Sequence, residues 1–289
     1  MTDFFSTDTM IGRLRRACHG KLLWHDAQGA IPTNGRFVFY ELEQDGAVPK
    51  NYPPPKKRRP AQDISDALID LRRAGHVPWD WIVDETRELV SWRSAETVAE
   101  YMRDTIDRAR INAWNGEPAP LIICEARSTK GVLERIAGDY LAPITATNGQ
   151  CGGFLRTDVA PHLISNSRPV LYIGDHEVGG PADSIEANTQ RVLEDYCERP
   201  IEWTRIALTQ MQVDADSRLL KLVIDKTDRR FKPPRHYLAV ECEAVGQVAL
   251  EQMLRSALDA RLPEPLESVL EREKQQRRAF AELLDRLRP

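Results

Sequence analysis

Two apolar runs of strand length stand out in the hydrophobic pattern, and each of them ends in acidic residues. The first run, residues 120–125, closes with Glu125, and the second, residues 169–177, closes with Asp175 and Glu177. Continuous apolar runs of this length are typical of strands that are buried on both faces of a parallel sheet. The pattern therefore predicts two buried strands with carboxylates at their carboxyl ends.

The pattern of the whole chain predicts an α/β protein in three parts. Residues 1–117 are mostly helical, with a basic loop and a hairpin, in an order typical of a winged-helix-like DNA-binding domain. Between residues 118 and 262 strand and helix patterns alternate, which predicts a largely parallel sheet with flanking helices. Residues 263–289 have the pattern of a charged helix, which docks either on its own domain or on a second copy.

Capping residues set the bounds of the helices predicted in the N-terminal part. Asn34 and Asp63 are expected N-caps, while Gly46 and Gly75 are expected to stop the helices that those residues begin. The predicted elements are a helix over 8–18, a helix over 37–44, a helix after Asp63, a hairpin over 81–92 and a connecting helix over 94–114.

Further signals set the elements of the second part. Ser128 is expected to cap a helix after the first buried strand, and Pro181 is expected in the first turn of another. Thr209 and Gln212 have the spacing of a capping box. Leucines at every fourth position from 250 to 262 form one helical stripe, which favours a helix that packs in the core.

The acidic residues at the strand ends are candidate metal ligands. Neighbouring strands of an open α/β sheet converge at their carboxyl ends, so Glu125, Asp175 and Glu177 are expected to meet in one crevice. Strand alternation places Asp175 and Glu177 on one side and His176 on the other. Clustered carboxylates repel one another unless a cation neutralises them, and oxygen ligands suit Mg²⁺ or Mn²⁺. The alternative is that each acid caps a helix or lies in solvent.

Composition limits the class of protein. The chain has 289 residues, 42% of them hydrophobic and 29% charged, as in a globular protein. Its formal net charge of −4 gives no global basic field, so binding to nucleic acid would depend on local basic patches. Five cysteines without a C-x-x-C spacing indicate neither a disulfide framework nor a zinc site. No basic, apolar leader and no long apolar run occurs, so we expect a cytoplasmic protein that does not associate with membranes.

Two basic segments are candidate phosphate contacts. The first lies in the proline-rich stretch 51–60 and contains Lys56, Lys57, Arg58 and Arg59. Proline fixes φ and removes donors, so this stretch is either a flexible basic arm for DNA or a solvated linker. The second segment contains Lys226, Arg229 and Arg230. Its arginines either position a phosphate or form ordinary surface ion pairs.

The order of the acids resembles the Toprim domain of topoisomerases, primases and related nucleases. Gly-Asp-His-Glu-Val-Gly-Gly over 174–180, Arg-Ile-Ala-Leu-Thr over 205–209 and Lys-Thr-Asp-Arg-Arg over 226–230 are similar to the topoisomerase VI A-subunit family, especially its small phage and plasmid relatives. The resemblance covers about residues 118–262 and, more weakly, the N-terminal part. This family usually has a second aspartate at the position of Glu177, so the longer glutamate is expected to shift a bound metal.

The resemblance also implies a nucleophile. The stretch Arg-Phe-Val-Phe-Tyr that ends at Tyr40 is similar to the segment of that family whose last tyrosine attacks the DNA backbone. It implies a homodimer in which Tyr40 of one chain acts with the acids of its mate and with Mg²⁺. Arg36, four residues earlier on the same helix face, would meet a phosphate. The alternative is that Tyr40 is only a core residue of its helix.

Three functions remain open at this point. The first is a subunit of the topoisomerase VI A type, which cuts double-stranded DNA through a transient phosphotyrosyl bond. No phosphate-binding loop for ATP occurs in the sequence, so strand passage would require a separate ATPase subunit. The second is a Toprim nuclease in which metal-activated water attacks the phosphodiester. The third is a relative that binds DNA without cutting it.

Overall fold

The computed structural model describes residues 4–54, 58–83, 92–149, 152–177, 184–228 and 233–286. Helices dominate its N-terminal part, where the hydrophobic faces of three helices pack on one another. Their bounds are α1 Met10–Ala27, α2 Gly35–Gln44, α3 Pro60–Arg73 and, further along the chain, α4 Val98–Ile106.

The predicted caps are confirmed for α2 and wrong for α3. The side chain of Asn34 accepts hydrogen bonds from the backbone N–H groups of Arg36 and Phe37, as a helix N-cap does. Helix α3 begins at Pro60, because proline is well suited to the first turn, and Asp63 lies inside that turn. Helix α1 is also longer than the predicted segment 8–18.

The connecting helix predicted over 94–114 is wrong for most of its length. Helix α4 begins after a capping box formed by Thr97 and Glu100, and it ends at Ile106. Beyond Ile106 the backbone N–H of Ile111 donates a hydrogen bond to the carboxylate of Glu273 and not to a carbonyl one turn earlier, so residues 107–114 do not continue the helix. Residues 84–91 of the predicted hairpin lie outside the described residues.

A parallel sheet forms the centre of the second part and confirms the predicted α/β class. Its strands are β1 Leu121–Cys124, β2 Ile144–Ala146, β3 Val170–Ile173 and, after the short strand β4 His176–Glu177, β5 Trp203–Ala207. Their order across the sheet is β2-β1-β3-β5, and every neighbouring pair is parallel. The two apolar runs are the central strands β1 and β3, and all of their residues are buried.

Helices cover both faces of this sheet. Alternate strand residues such as Ile122 and Leu171 pack on one side, and Ile123 and Tyr172 pack on the other. The helices of this part are α5 Arg127–Asp139, α6 Gly152–Phe154, α7 Ala160–Ile164, α8 Ile185–Cys197, α9 Gln210–Ala215, α10 Ser217–Leu220, α11 Gln247–Asp259 and α12 Leu266–Arg286.

Several predicted signals of this part are confirmed and one is wrong. Thr209 and Gln212 form the capping box of α9, and the leucine stripe of α11 is buried from Leu250 to Leu258. Ser128 does not cap α5, whose N-cap is Ala126; its hydroxyl instead donates a hydrogen bond to Glu243. Pro181 lies outside the described residues.

A second, antiparallel sheet begins where the first one ends. Strand β4 pairs with β7 Arg235–Val240, which pairs in turn with β6 Ile224–Asp228. The chain therefore leaves the parallel sheet at Gly174 and Asp175, whereas the continuous pattern over 169–177 predicted a single strand. This change of sheet places the acids after β3 beside the end of β7.

Helix α12 docks on its own chain. Val269 is buried against the main core, and the buried carboxylate of Glu273 accepts hydrogen bonds from the side chain of Arg110 and the backbone N–H of Ile111. Of the two docking sites considered from the sequence, the structure therefore shows the one within the chain.

Helix α2 belongs to two cores at once. Phe37 packs with the sheet residue Ile122 and with residues of α5 and α11. Val38 and Tyr40, from the same helix, pack with residues of α1 and α3 and with Val240 of β7. The domain boundary after residue 117 stays a prediction, and apolar packing is continuous across it.

Candidate functional site

The candidate site lies between β1 and β3, at the point where the strand order of the parallel sheet reverses. From β1 the chain crosses to β2 on one side, and it then returns to β3 on the other side of β1. In open α/β sheets, ligands bind in the crevice that such a reversal opens at the carboxyl ends of the strands. Residues Cys124 and Ile173 are register partners, so Glu125 and Gly174 leave the two strands side by side. Glu125 and Asp175, two of the three sequence-predicted acids, thus lie at the expected crevice.

Glu125 and Asp175 are held together by a close backbone approach. The Oε2 atom of Glu125 accepts a hydrogen bond from the backbone N–H of Asp175 at 3.1 Å, and the hydroxyl of Tyr172 lies 3.4 Å from the same atom. A Cβ atom at position 174 would lie 2.7 Å from that oxygen and 2.7 Å from Cε1 of Tyr172. Only glycine fits between these groups, so Gly174 determines the position of the Glu125 carboxylate.

The environment of Glu125 disfavours its negative charge. Burial is the main cause that raises the pKa of Glu125 from an ordinary 4.5 to about 8, and the charge of Asp175 raises it further. The charge of Glu177 acts in the same direction, whereas Lys226 and the backbone N–H of Asp175 lower the pKa. Asp175 and Glu177 therefore both act electrostatically on Glu125, while the role of the three acids as metal ligands stays a prediction.

Lys226 neutralises Asp175. Its Nζ atom lies 2.5 Å from Oδ2 of Asp175, and the backbone N–H of Cys242 donates to Oδ1 at 2.9 Å. Burial alone would lower the pKa of Lys226, but the charge and the hydrogen bond of Asp175 raise it above its ordinary value. Lys226 thus supplies a fixed positive charge in the crevice.

Two further acids bring Arg36 to the same site. Arg36 contacts Glu243 at 2.8 Å through Nε and Glu241 at 3.2 Å through its terminal nitrogen. Burial alone would lower the pKa of Arg36, and the charges of Glu243, Glu241, Asp175 and Glu125 raise it above its ordinary value. Arg36 therefore lies within electrostatic range of the predicted acids, although almost half of its side chain is exposed.

Tyr40 reaches the site through Lys50. The Nζ atom of Lys50 donates a hydrogen bond to the hydroxyl of Tyr40 at 3.2 Å and lies 3.5 Å from Oε2 of Glu241. Glu241 in turn lies 3.6 Å from Lys226, which holds Asp175. Burial lowers the pKa of Lys50, and the positive charges of Arg36 and Lys226 act in the same direction, against Glu43 and Glu243. Tyr40 and Asp175 are thus joined by polar contacts within one chain.

Tyr40 is at the same time a core residue. It is 5% exposed, and its ring packs in the cluster that α1, α2 and α3 share with β7. The ring of Tyr40 is therefore buried, its hydroxyl bonds to Lys50 at the edge of the site, and its role as a nucleophile stays a prediction.

The remaining acid and its neighbour occupy β4. Glu177 pairs with Ala239 across the second sheet, and Nε2 of His176 lies 3.1 Å from the side-chain oxygen of Gln210, away from the acids. Within the described ranges, no group of three or more His, Cys, Asp or Glu side chains has the geometry to hold a metal ion. The arrangement supplies oxygen donors of the right chemistry, but they do not converge as ligands.

The predicted basic contacts are described only in part. Lys56, Lys57, Arg229 and Arg230 lie outside the described residues. Arg58 forms ion pairs with Asp63 and Asp66 at the start of α3. Arg59 is the residue before that helix, and its backbone N–H donates to Gln62 at 3.1 Å. Whether these residues bind DNA stays a prediction.

Sequence reasoning missed three residues of the site. Glu241 and Glu243 follow the apolar end of β7, so the same pattern of a strand ending in acid could have found them. Lys50 carries no such signal, because it meets Tyr40 only through the fold of the loop after α2. These residues join the predicted nucleophile to the predicted acids.

Comparison with protein-family models, with curated proteins and with solved structures finds no match for this chain. The Toprim resemblance therefore depends on the quoted motifs alone. No helix among the described residues is long and apolar enough to cross a membrane.

Proposed function

We propose that this protein cleaves double-stranded DNA at the crevice between β1 and β3, in the manner of a topoisomerase VI A subunit. The observation that carries the proposal is the meeting of Glu125 and Asp175 at the reversal point of the sheet, within electrostatic range of Arg36. Carboxylates at such a crevice, with basic side chains beside them, suit cleavage of a phosphodiester, in which negative charge develops on the phosphate group.

A divalent cation, Mg²⁺ or Mn²⁺, is part of this proposal. Glu125, Asp175 and Glu177 would hold it, since hard oxygen donors suit these ions and a cation would relieve the repulsion that adds to burial in raising the pKa of Glu125. In this structure the described acids do not converge as ligands and Lys226 bonds to Asp175, so binding would require the three carboxylates and the Lys226 ammonium group to move. When bound, the cation would neutralise charge that develops on the phosphodiester.

Tyr40 is the proposed nucleophile. The phenol would lose its proton to water and its oxygen would form a bond to phosphorus. The bond from phosphorus to a sugar oxygen would break, and that oxygen would take a proton from water, which leaves a phosphotyrosyl link and a free sugar hydroxyl. The ammonium group of Lys50, 3.2 Å from the phenol oxygen, stabilises the phenolate that this attack requires. The polar contacts that run from Tyr40 through Lys50, Glu241 and Lys226 to Asp175 lie within one chain, whereas the resemblance implies that Tyr40 acts with the acids of a mate. A homodimer and a separate ATPase subunit remain expectations from the resemblance.

The burial of Tyr40 favours a second candidate, a nuclease in which water attacks. At 5% exposure, the tyrosine reaches a DNA phosphate only if neighbouring side chains move aside. In the second candidate the acids perform the same role, while Tyr40 contributes only to packing.

The test compares cleavage of supercoiled plasmid with Mg²⁺ or Mn²⁺ by the wild type, Tyr40→Phe and Glu125→Gln. Each reaction is analysed with and without protease before electrophoresis. Tyr140→Phe is a matched control, because the hydroxyl of Tyr140 bonds to Asp259 outside the site.

The proposal expects protein-linked DNA ends in the wild type and in Tyr140→Phe, and no cleavage in Tyr40→Phe or Glu125→Gln. Protein-free ends that persist in Tyr40→Phe but disappear in Glu125→Gln would establish the nuclease instead. Binding without cleavage in the presence of either cation would refute both and identify a DNA-binding protein that does not cut.

A further inference from the structure

A cavity of about 600 Å³ lies beside the crevice, between α3, the start of α2 and the start of α5. Three arginines, Arg36, Arg72 and Arg127, belong to its described lining, and no described lining residue is acidic. In a chain with a net charge of −4, such a lining is a local reversal of charge. The cavity therefore favours an anionic ligand.

The arginines differ in how firmly they are held. Arg72 donates a hydrogen bond to the backbone oxygen of Ile82, and its guanidinium lies 5.2 Å from the ring centre of Trp79. Arg36 is paired with Glu241 and Glu243. These contacts fix two guanidinium groups at the cavity before any ligand binds.

Arg127 is the group most available to a ligand. It is exposed, and its side chain forms no hydrogen bond or ion pair with any described residue. A guanidinium group without an acidic partner keeps its full capacity for a bidentate bond to a phosphate. The cavity thus combines two fixed arginines with one that is free to bind.

Neutral polar groups connect this cavity to the carboxylates of the crevice. The side-chain N–H of Asn34 donates to the backbone oxygen of Ser128 at 2.8 Å, which joins α2 to the start of α5. The backbone N–H of Asn148 donates to the backbone oxygen of Glu125 at 2.8 Å. Ala126 and Arg127 line the cavity immediately after Glu125. An anion bound in the cavity would therefore lie next to the proposed cleavage centre.

We propose that this cavity binds a backbone phosphate of the DNA duplex adjacent to the phosphate that is cleaved. This inference rests on the proposed function for the identity of the polymer. DNA carries phosphates at regular intervals, so a duplex positioned at Glu125 presents a neighbouring phosphate to Arg127 and Arg72. The contact sets the register of the duplex and carries no sequence preference.

The test measures binding of a fluorescently labelled duplex by anisotropy in EDTA, where no cleavage occurs. The variants are Arg127→Ala and, as a matched control, Arg73→Ala. Arg73 is also exposed and lies at the end of α3, but it is not part of the cavity lining. Both variants lose one positive charge, so a difference between them reports position rather than net charge.

We expect Arg127→Ala to weaken duplex binding roughly tenfold and to reduce the slope of log affinity against log salt by about one, the loss of one phosphate contact. Arg73→Ala should bind within about twofold of the wild type. Equal binding by Arg127→Ala and the wild type would overturn the proposal.

A second arm of the test uses inorganic phosphate, to distinguish a site for a DNA backbone phosphate from a site for a free phosphate ion. If Arg127→Ala weakens binding of free phosphate but leaves duplex binding unchanged, the cavity is a small-anion site and the proposal is wrong. Weaker duplex binding by Arg127→Ala, with millimolar phosphate unable to displace the duplex from the wild type, supports it.

The failures of the two proposals are distinguishable. If the wild type binds duplex through Arg127 but never cleaves it, the proposed function is refuted and the phosphate site is supported. A wild type that cleaves DNA, with duplex affinity unchanged in Arg127→Ala, keeps the proposed function and loses the phosphate site.

Discussion

Replacing Glu125 by glutamine should change how the stability of the protein depends on pH. The folded protein raises the pKa of Glu125 from 4.5 to about 8, first by burial and then through the charge of Asp175. A carboxyl group whose pKa is higher in the folded state than in the unfolded state contributes most to stability below pH 4.5, where it is protonated in both the folded and the unfolded protein. This contribution is lost as pH rises and is gone above pH 8. Glutamine carries no charge, so Glu125→Gln does not lose this contribution to stability as pH rises.

The size of the effect follows from the shift itself. A rise in pKa from 4.5 to about 8 corresponds to about 5 kcal/mol of unfolding free energy, since one pH unit is about 1.36 kcal/mol. Because Glu125 is half-buried and interacts with Asp175 and Lys226, we take this as an upper limit. The stability of Glu125→Gln relative to the wild type should therefore increase by about 2 to 5 kcal/mol between pH 4.5 and pH 9.

Urea unfolding at a series of pH values measures this difference directly. Titrating groups distant from Glu125 are common to both proteins and cancel in the difference, whereas Asp175 and Lys226 interact with Glu125 and contribute to the range given. Glu134→Gln is the control: Glu134 is an exposed residue of α5 that pairs with Lys130, and its substitution should give a difference that is nearly constant with pH. If Glu125→Gln also gives a constant difference, the carboxyl group of Glu125 ionises normally and the proposed crevice electrostatics is wrong.

Three further substitutions test other parts of the structure. Gly174→Ala should lower the free energy of unfolding in urea by about 1–3 kcal/mol, because the added Cβ meets the Glu125 carboxylate. The control Gly20→Ala, in open space on α1, should raise the free energy of unfolding by about 0.5–1 kcal/mol. Equal effects of the two substitutions would contradict the close approach at Gly174. Asn34→Ala should cost about 1–2 kcal/mol in the same assay through loss of the α2 cap and the bond to α5, and a loss below 0.5 kcal/mol would argue against both contacts. Lys226→Gln should move the pH midpoint of the Glu125 effect upwards, since Lys226 lowers that pKa; a midpoint that moves down would refute this role.

The sequence predicts the parallel sheet and the location of the crevice because those signals are local. Each of the runs 120–124 and 169–173 is long enough and apolar enough to be a strand buried on both faces, and parallel packing then brings their ends together. The close approach of Glu125 and Asp175 follows from the same geometry, whereas Glu177 lies on β4 in the second sheet. Burial and strand direction are sufficient to predict this part.

Other features depend on contacts between distant segments and leave no local signal. The pattern over 169–177 has no break at Asp175, yet β4 joins a second sheet because β7 supplies its partner from more than sixty residues away. The pairing of Lys50 with Tyr40 and the arginine-lined cavity likewise arise from how separate elements pack. A helical pattern over 94–114 also cannot show that the backbone N–H of Ile111 binds Glu273, which lies 162 residues further along the chain.

The position of helix α2 in two cores makes the two halves of the molecule thermodynamically dependent on each other. Opening the N-terminal helices would expose Phe37 and remove an apolar contact from the sheet, so neither half can unfold without weakening the other. We therefore expect a single cooperative transition, in which amide hydrogens of β1 and of α2 exchange with the same free energy. The same coupling would transmit a disturbance at Arg36 or Tyr40, both on α2, directly to the packing beneath the crevice.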